Sequence, residues 1–148
     1  MSMKLIKLDS IDITLDPVRP ELSLDYRKDL GREIYGLSYF RSYGNVIGAV
    51  VCISYCSGVP KTVSEMTEFT NPNGHIAVAY TLFNTGKVKG SVKNLIELLH
   101  QHMKDNSDIT RLVTLSPKTD MAKNFHLSMG AKMINENTES YNFEYDLF

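Results

Sequence analysis

The side chain best placed to do chemistry in this chain is His126, in the run Asn124-Phe125-His126-Leu127-Ser128-Met129-Gly130-Ala131. Its spacing predicts a short amphipathic helix over 119–129, with Pro117 ending the strand before it and Gly130 stopping the helix. An imidazole carried just past a strand end can exchange a proton near neutral pH. The same pattern also fits a histidine on a helix surface, and residue types alone leave both readings open. A second locus is Asn84-Thr85-Gly86-Lys87-Val88-Lys89-Gly90-Ser91, between a predicted strand over 75–83 and a predicted helix over 92–103. Strand, glycine loop and helix in succession leave backbone N–H groups free at the positive end of a helix dipole, which suits an anion such as a pyrophosphate. Lys87 and Lys89 add mobile positive charge. Gly86 and Gly90 equally suit a plain turn.

The remaining reactive types point elsewhere. His75 begins a strand, and His100 and His102 lie late in a helix, where solvation or the C-terminal dipole accounts for them. No His-x-x-x-His pair or acidic cluster accompanies them, so no metal site is expected. Cys52 and Cys56, four apart on a predicted strand, should face the same side as reduced core thiols. Tyr141, Phe143 and Tyr145 alternate as sheet residues do. Tyr80 reads as core, and simple alternation puts its neighbour Thr81 on the opposite face.

These residues need a scaffold, and 148 residues with a formal net charge of −1 suffice for one domain with a single core. Balanced charge offers no broad basic face for nucleic acid, apart from the small cluster Lys87, Lys89 and Lys93. The Met-Ser-Met-Lys start has no apolar signal core, and no apolar run reaches the roughly 18 residues of a membrane span, so a cytoplasmic location is expected. Strands are predicted over 4–8, with a continuation through Ile11, Ile13 and Leu15, and over 36–43, 46–55, 75–83, 109–115, 132–135 and 141–147. Helical spacing appears over 22–34, as one helix or two turns, and a short helix or turn over 61–69. The best helix is 92–103, with Val92, Leu95, Ile96 and Leu99 on one stripe and Ser91 as its expected N-cap.

This order, with a glycine loop after the fourth long strand, resembles the GNAT acyltransferase fold: a mixed α+β domain with a mostly antiparallel twisted sheet flanked by helices. The resemblance implies one acyl-CoA-binding domain over residues 1–148, with the pyrophosphate of coenzyme A at Gly86, Lys87, Val88, Lys89, Gly90 and Ser91. The superfamily pattern Gln/Arg-x-x-Gly-x-Gly/Ala reads here Lys87-Val88-Lys89-Gly90-Ser91-Val92, which keeps the central glycine and departs at both ends. The later pattern Ala-x-x-x-Tyr-x-x-x-Gly-Phe becomes Ala122, His126 and Gly130-Ala131, with histidine in place of the tyrosine acid.

That exchange is similar to the catalytic domain of malonyl-CoA decarboxylase, as are Tyr80-Thr81-Leu82 running into Thr85-Gly86 and Val113-Thr114-Leu115-Ser116-Pro117. The likeness covers roughly residues 35–148 and leaves out the family's helical N-terminal domain. It implies His126 as the catalytic histidine and Thr81 at the family's catalytic serine, with a methyl added. The family's loop glutamine has no counterpart. The implied activity is metal-free decarboxylation of a malonyl thioester, with the coenzyme A thioester as substrate. N-acyl transfer to an amine and a non-catalytic CoA-binding module are the alternatives. The expected partner is a small-molecule acyl-CoA, with no nucleic acid and no membrane, and with room for a homodimer.

Overall fold

A computed structural model describes residues 2–148. Its elements run β1 (Met3–Leu8), a 3-10 turn (Ile13–Leu15), α1 (Leu24–Lys28), β2 (Arg32–Tyr39), β3 (Val46–Cys56), α2 (Val63–Phe69), β4 (Ile76–Asn84) and α3 (Ser91–Asp105). They continue with β5 (Arg111–Thr114), β6 (Ser116–Pro117), α4 (Asp120–Ser128), β7 (Lys132–Glu136) and β8 (Ser140–Tyr145). One sheet of eight strands has the order β1-β2-β3-β4-β5-β8-β6, with β7 also on β8. All pairings are antiparallel except β4 with β5.

Because β4 and β5 are parallel, they need a crossover, which α3 supplies. Leu95, Ile96, Leu99 and Met103 of α3 are buried against Leu37, Val51, Ala77 and Phe143 on one sheet face, where Phe125 of α4 and Met129, which caps it, also pack. Fully burying one such leucine is worth roughly 1.5–3 kcal/mol. The other face carries Val50, Cys52, Cys56, Val78 and Tyr80 under α1 and α2, with Leu24 and Met66 among the packing residues. Cys52 and Cys56 are both buried free thiols on this face. Tyr141, Phe143 and Tyr145 all join the opposite core.

Two irregularities of β4 shape the middle of the sheet. Cys52 pairs with Thr81 but the next residue, Ile53, pairs with Ala79, so Tyr80 is an extra residue, a β-bulge. The expected alternation of Tyr80 and Thr81 therefore fails: Tyr80 packs beside Cys52, and the Thr81 hydroxyl also turns to that face, where it meets Asp16. Secondly, β4 pairs with β5 only from Ile76–Arg111 to Ala79–Thr114. Leu115 N–H still donates to the Ala79 carbonyl (2.9 Å), and there the strands part, since β6 pairs with β8 instead.

Several predicted boundaries move. Helix 22–34 shrinks to Leu24–Lys28, because Gly31 turns the chain with φ +87° and Arg32 and Glu33 already pair with Ser54 and Ile53. Ile13–Leu15 form a 3-10 turn capped by Asp12 rather than extending β1. The strand predicted over 36–43 ends at Tyr39, four residues short, in a turn closed by Gly44 N–H to the Arg41 carbonyl (3.0 Å).

Candidate functional site

His126 sits in the last turn of α4, whose start is fixed by Thr119 accepting the Ala122 N–H. The ring points inward and only 6% of the residue is exposed. It stacks on Phe143 (centroids 5.2 Å, 29° between planes) with Phe125 edge-on at 5.2 Å. Its Nδ1 lies 2.7 Å from the Tyr145 hydroxyl. Burial among aromatic rings disfavours the imidazolium and pulls the pKa down to about 4. Burial raises the Tyr145 phenol well above its ordinary range. The phenol thus keeps its proton and donates it to Nδ1, leaving the ring proton on Nε2. Among the described residues Nε2 has no hydrogen-bond partner, yet the fully enclosed unpaired polar atoms there are Arg32 Nε and Tyr80 Oη. The histidine is therefore neutral at pH 7, fixed in one tautomer, with its free N–H not sealed in.

Thr81 belongs to a different network. Its hydroxyl donates to both carboxylate oxygens of Asp16, each at 2.9 Å. Asp16 also accepts the N–H groups of Val18 (2.8 Å) and Arg19 (3.1 Å) and pairs with Arg27 Nη1 at 2.8 Å. Both Asp16 and Arg27 have fully buried side chains. Arg27 reaches further, to the carbonyls of Leu22 (3.1 Å) and Arg19 (2.7 Å) and to Cys52 Sγ (3.7 Å). Burial pushes the Cys52 thiol up to about 11, so it stays protonated at neutral pH. A carboxylate with three donors and a guanidinium is well satisfied, and it ties the segment after the 3-10 turn to β4. No hydrogen bond joins Thr81 to His126 among the described residues. Thr81 is bound on the α1/α2 face, while His126 packs in the core beneath α3 and α4.

In the loop between β4 and α3, Gly86 and Gly90 have φ of +84° and +75°, a backbone that L side chains rarely adopt. A Cβ at either position would meet nothing within 4 Å, so conformation rather than crowding demands glycine. Gly86 N–H is held by Asn84 Oδ1 (2.7 Å). The expected N-cap shifts by one: Gly90 is the cap, and it offers no side chain to the first helical amides. Ser91 is the first helical residue, is buried, and spends its hydroxyl on the Val88 carbonyl. It lies so close to β3 that a Cβ on Gly48 would come within 2.6 Å of its Oγ. Lys87 and Lys89 are exposed. The helix start is thus open to an anion, with two solvated cations beside it.

Elsewhere, His75 Nδ1 meets the Asp108 carbonyl (2.7 Å) and His100 Nε2 the Asp146 carbonyl (2.5 Å). No group of metal-ligating side chains gathers among the described residues. No helix there is long and apolar enough to cross a membrane.

Sequence reasoning missed Asp16, Arg19, Arg27 and Tyr145. In the run Asp16-Pro17-Val18-Arg19-Pro20 the two prolines signal only an end to regular pairing, and nothing local links it with a strand 61 to 65 residues away. Tyr145 was visible only as one of three alternating aromatics.

No family model and no curated protein sequence matches the chain. Solved structures do match its fold. The loading GNATL domain of CurA from Lyngbya majuscula superposes with a TM-score of 0.72 at 13% identity, over 99% of this chain and 98% of that one. The GphF GNAT-like decarboxylase, solved with isobutyryl-CoA, gives 0.59 at 14% identity over 78% of each chain. The Campylobacter jejuni N-acetyltransferase PseH with acetyl coenzyme A gives 0.58 at 12% identity, over 98% of this chain and 99% of that one. The chain therefore has a GNAT-like fold, with a mostly antiparallel eight-stranded sheet flanked by helices.

Proposed function

We propose that this chain binds a coenzyme A thioester and acts on its acyl group, decarboxylation of a malonyl thioester being the reaction its residues suit best. The observation that carries this reading is His126: a neutral imidazole in a fixed tautomer, with Nε2–H unspent and not sealed in. Loss of carbon dioxide from a malonyl thioester leaves an enolate, which needs a donor at the thioester oxygen and a proton for the α-carbon. A neutral N–H serves the first need without demanding an imidazolium. A thioester enolate is a stronger base than imidazolate, so the Nε2 proton can pass to the α-carbon while the Tyr145 hydroxyl proton moves to Nδ1, which leaves a neutral imidazole and a phenolate that water reprotonates. Thr81 acts through Asp16, which accepts its hydroxyl and the Arg19 N–H, and so positions that segment against β4 rather than touching His126. Gly86, Lys87, Val88, Lys89, Gly90 and Ser91 hold the pyrophosphate at the uncapped start of α3, and the part of β4 beyond the bulge takes the pantetheine. The solved neighbours described with isobutyryl-CoA and acetyl coenzyme A share this fold, which supports the reading.

N-acyl transfer to an amine is the second reading, and the fold shared with PseH favours it. It needs a base for the amine proton, and a histidine with a pKa near 4 is a weak one. Mass spectrometry of products, from malonyl-CoA alone and from acetyl-CoA with an amine panel, tests the choice. Conversion of malonyl-CoA to acetyl-CoA without acceptor is expected. Acylated amine, or tight thioester binding with no turnover, overturns decarboxylation.

A further inference from the structure

Where β4 and β5 part, the gap holds a cation that the proposed reaction has not used. Arg19 donates Nε–H to the Tyr80 carbonyl (2.7 Å) and Nη2–H to the Leu115 carbonyl (3.0 Å), bridging the two chains at the first position past their pairing. Among the described residues its Nη1 has no hydrogen-bond partner, and it is not one of the fully enclosed unpaired atoms. Arg19 pairs with no carboxylate among the described residues. The one buried acid nearby, Asp16, is already matched by Arg27. Glu21 is exposed. The cluster of Asp16, Arg27 and Arg19 therefore has one buried carboxylate for two guanidiniums, and the second counter-charge acting on Arg19, that of Glu21, stands in solvent where water screens it. Burial lowers the Arg19 pKa, against the opposing pull of the Glu21 and Asp16 carboxylates. Arg19 is also tied to Thr81 through one group, since Asp16 accepts both the Arg19 N–H and the Thr81 hydroxyl.

We propose that Arg19 is the specificity residue of the acyl site: its free Nη1, at the mouth of the β4–β5 gap, binds the carboxylate of an acyl-CoA whose acyl group ends in an acid. The inference rests on the acyl-CoA reading and narrows it to carboxyl-bearing acyl groups. The two backbone carbonyls hold the guanidinium in place before the ligand arrives, so the carboxylate meets a donor that loses little further freedom. In a malonyl group the carboxylate and the thioester oxygen are close together. A cation beside both stays near the charge as it moves during decarboxylation, and so contributes mostly to binding rather than to turnover.

The test uses two inert thioethers of coenzyme A, S-(2-carboxyethyl)-CoA and S-propyl-CoA, which differ in the terminal acid and cannot react. Calorimetric titration of the full chain should show the carboxyethyl ligand binding about tenfold more tightly, the size of one charge-assisted hydrogen bond. Arg19→Gln should bring that ratio to near one while leaving S-propyl-CoA affinity within about twofold, and Arg19→Lys should restore part of it. A purely structural arginine would weaken both ligands together or neither. A wild-type ratio near one with S-propyl-CoA well bound, or a ratio unchanged in Arg19→Gln, overturns the assignment of Arg19 and leaves the acyl-CoA reading standing. Absence of binding by both thioethers and by CoA itself overturns both. Should Arg19→Gln not fold, the wild-type ratio and Arg19→Lys still decide.

Discussion

Lowering the pH should destabilise this protein through His126, by an amount its burial fixes. The folded pKa is about 4, while a histidine in the unfolded chain titrates near 6.5. The unfolded state therefore binds a proton that the folded state refuses, and stability rises with pH between those values. The contribution is complete above pH 6.5, falls as the pH drops, and is gone near pH 4. A gap of about 2.5 units corresponds to roughly 3 kcal/mol, of which about 2 kcal/mol is lost between pH 7 and pH 5, before most carboxylates titrate. With 6% of the residue exposed, solvent screening takes little from this figure. His126→Gln removes the titration and keeps a polar side chain near Tyr145. It should be less stable than wild type at pH 7, because it forfeits the stack on Phe143, yet lose about 2 kcal/mol less on going to pH 5. Urea unfolding followed by far-UV circular dichroism measures this, the chain having no tryptophan. Equal losses in wild type and variant would refute the neutral, buried histidine.

Other outcomes follow from the same geometry. Lys87→Ala with Lys89→Ala should weaken CoA binding and flatten its salt dependence, since both lysines are exposed, as titrations at two ionic strengths would show. Arg27→Met strands the buried Asp16 carboxylate and should cost about 3–5 kcal/mol in urea unfolding, well beyond an ordinary surface change. Thr81→Val removes one charge-assisted donor from Asp16 and should cost about 1.5–3 kcal/mol, whereas Thr81→Ser should restore nearly all of it. Carbon dioxide assays on Thr81→Val should show activity reduced less than in any His126 variant.

Periodicity made most of the scaffold legible. The stripe Leu95, Ile96 and Leu99, the apolar run of β3 and the alternation of β8 each declare which side is buried, because burial imposes its period on the sequence. The GNAT-like order followed from these elements. What stayed hidden depends on contacts distant in sequence. The bulge at Tyr80 is set by the registers of β3 and β4, and it reverses the face that strict alternation assigns to Thr81. The helix over 22–34 failed since pairing of Arg32 and Glu33 with β3 outweighs weak helical spacing around Gly31. His126 could be named as a candidate from its local pattern, but its protonation state depends on Phe143 and Tyr145 across a packing interface. The partners of Thr81 lie 65 residues away at Asp16 and beyond it at Arg27, where no local motif connects them.

The most direct test of the account follows carbon dioxide release from malonyl-CoA labelled in its free carboxyl, in wild type and in His126→Ala, with CoA affinity measured on both. Wild type should release the label. His126→Ala should bind CoA as well as wild type yet lose on the order of 10²- to 10⁴-fold in rate. Equal release by the two proteins, or no release by either while CoA still binds, would contradict the placing of decarboxylation chemistry on this histidine.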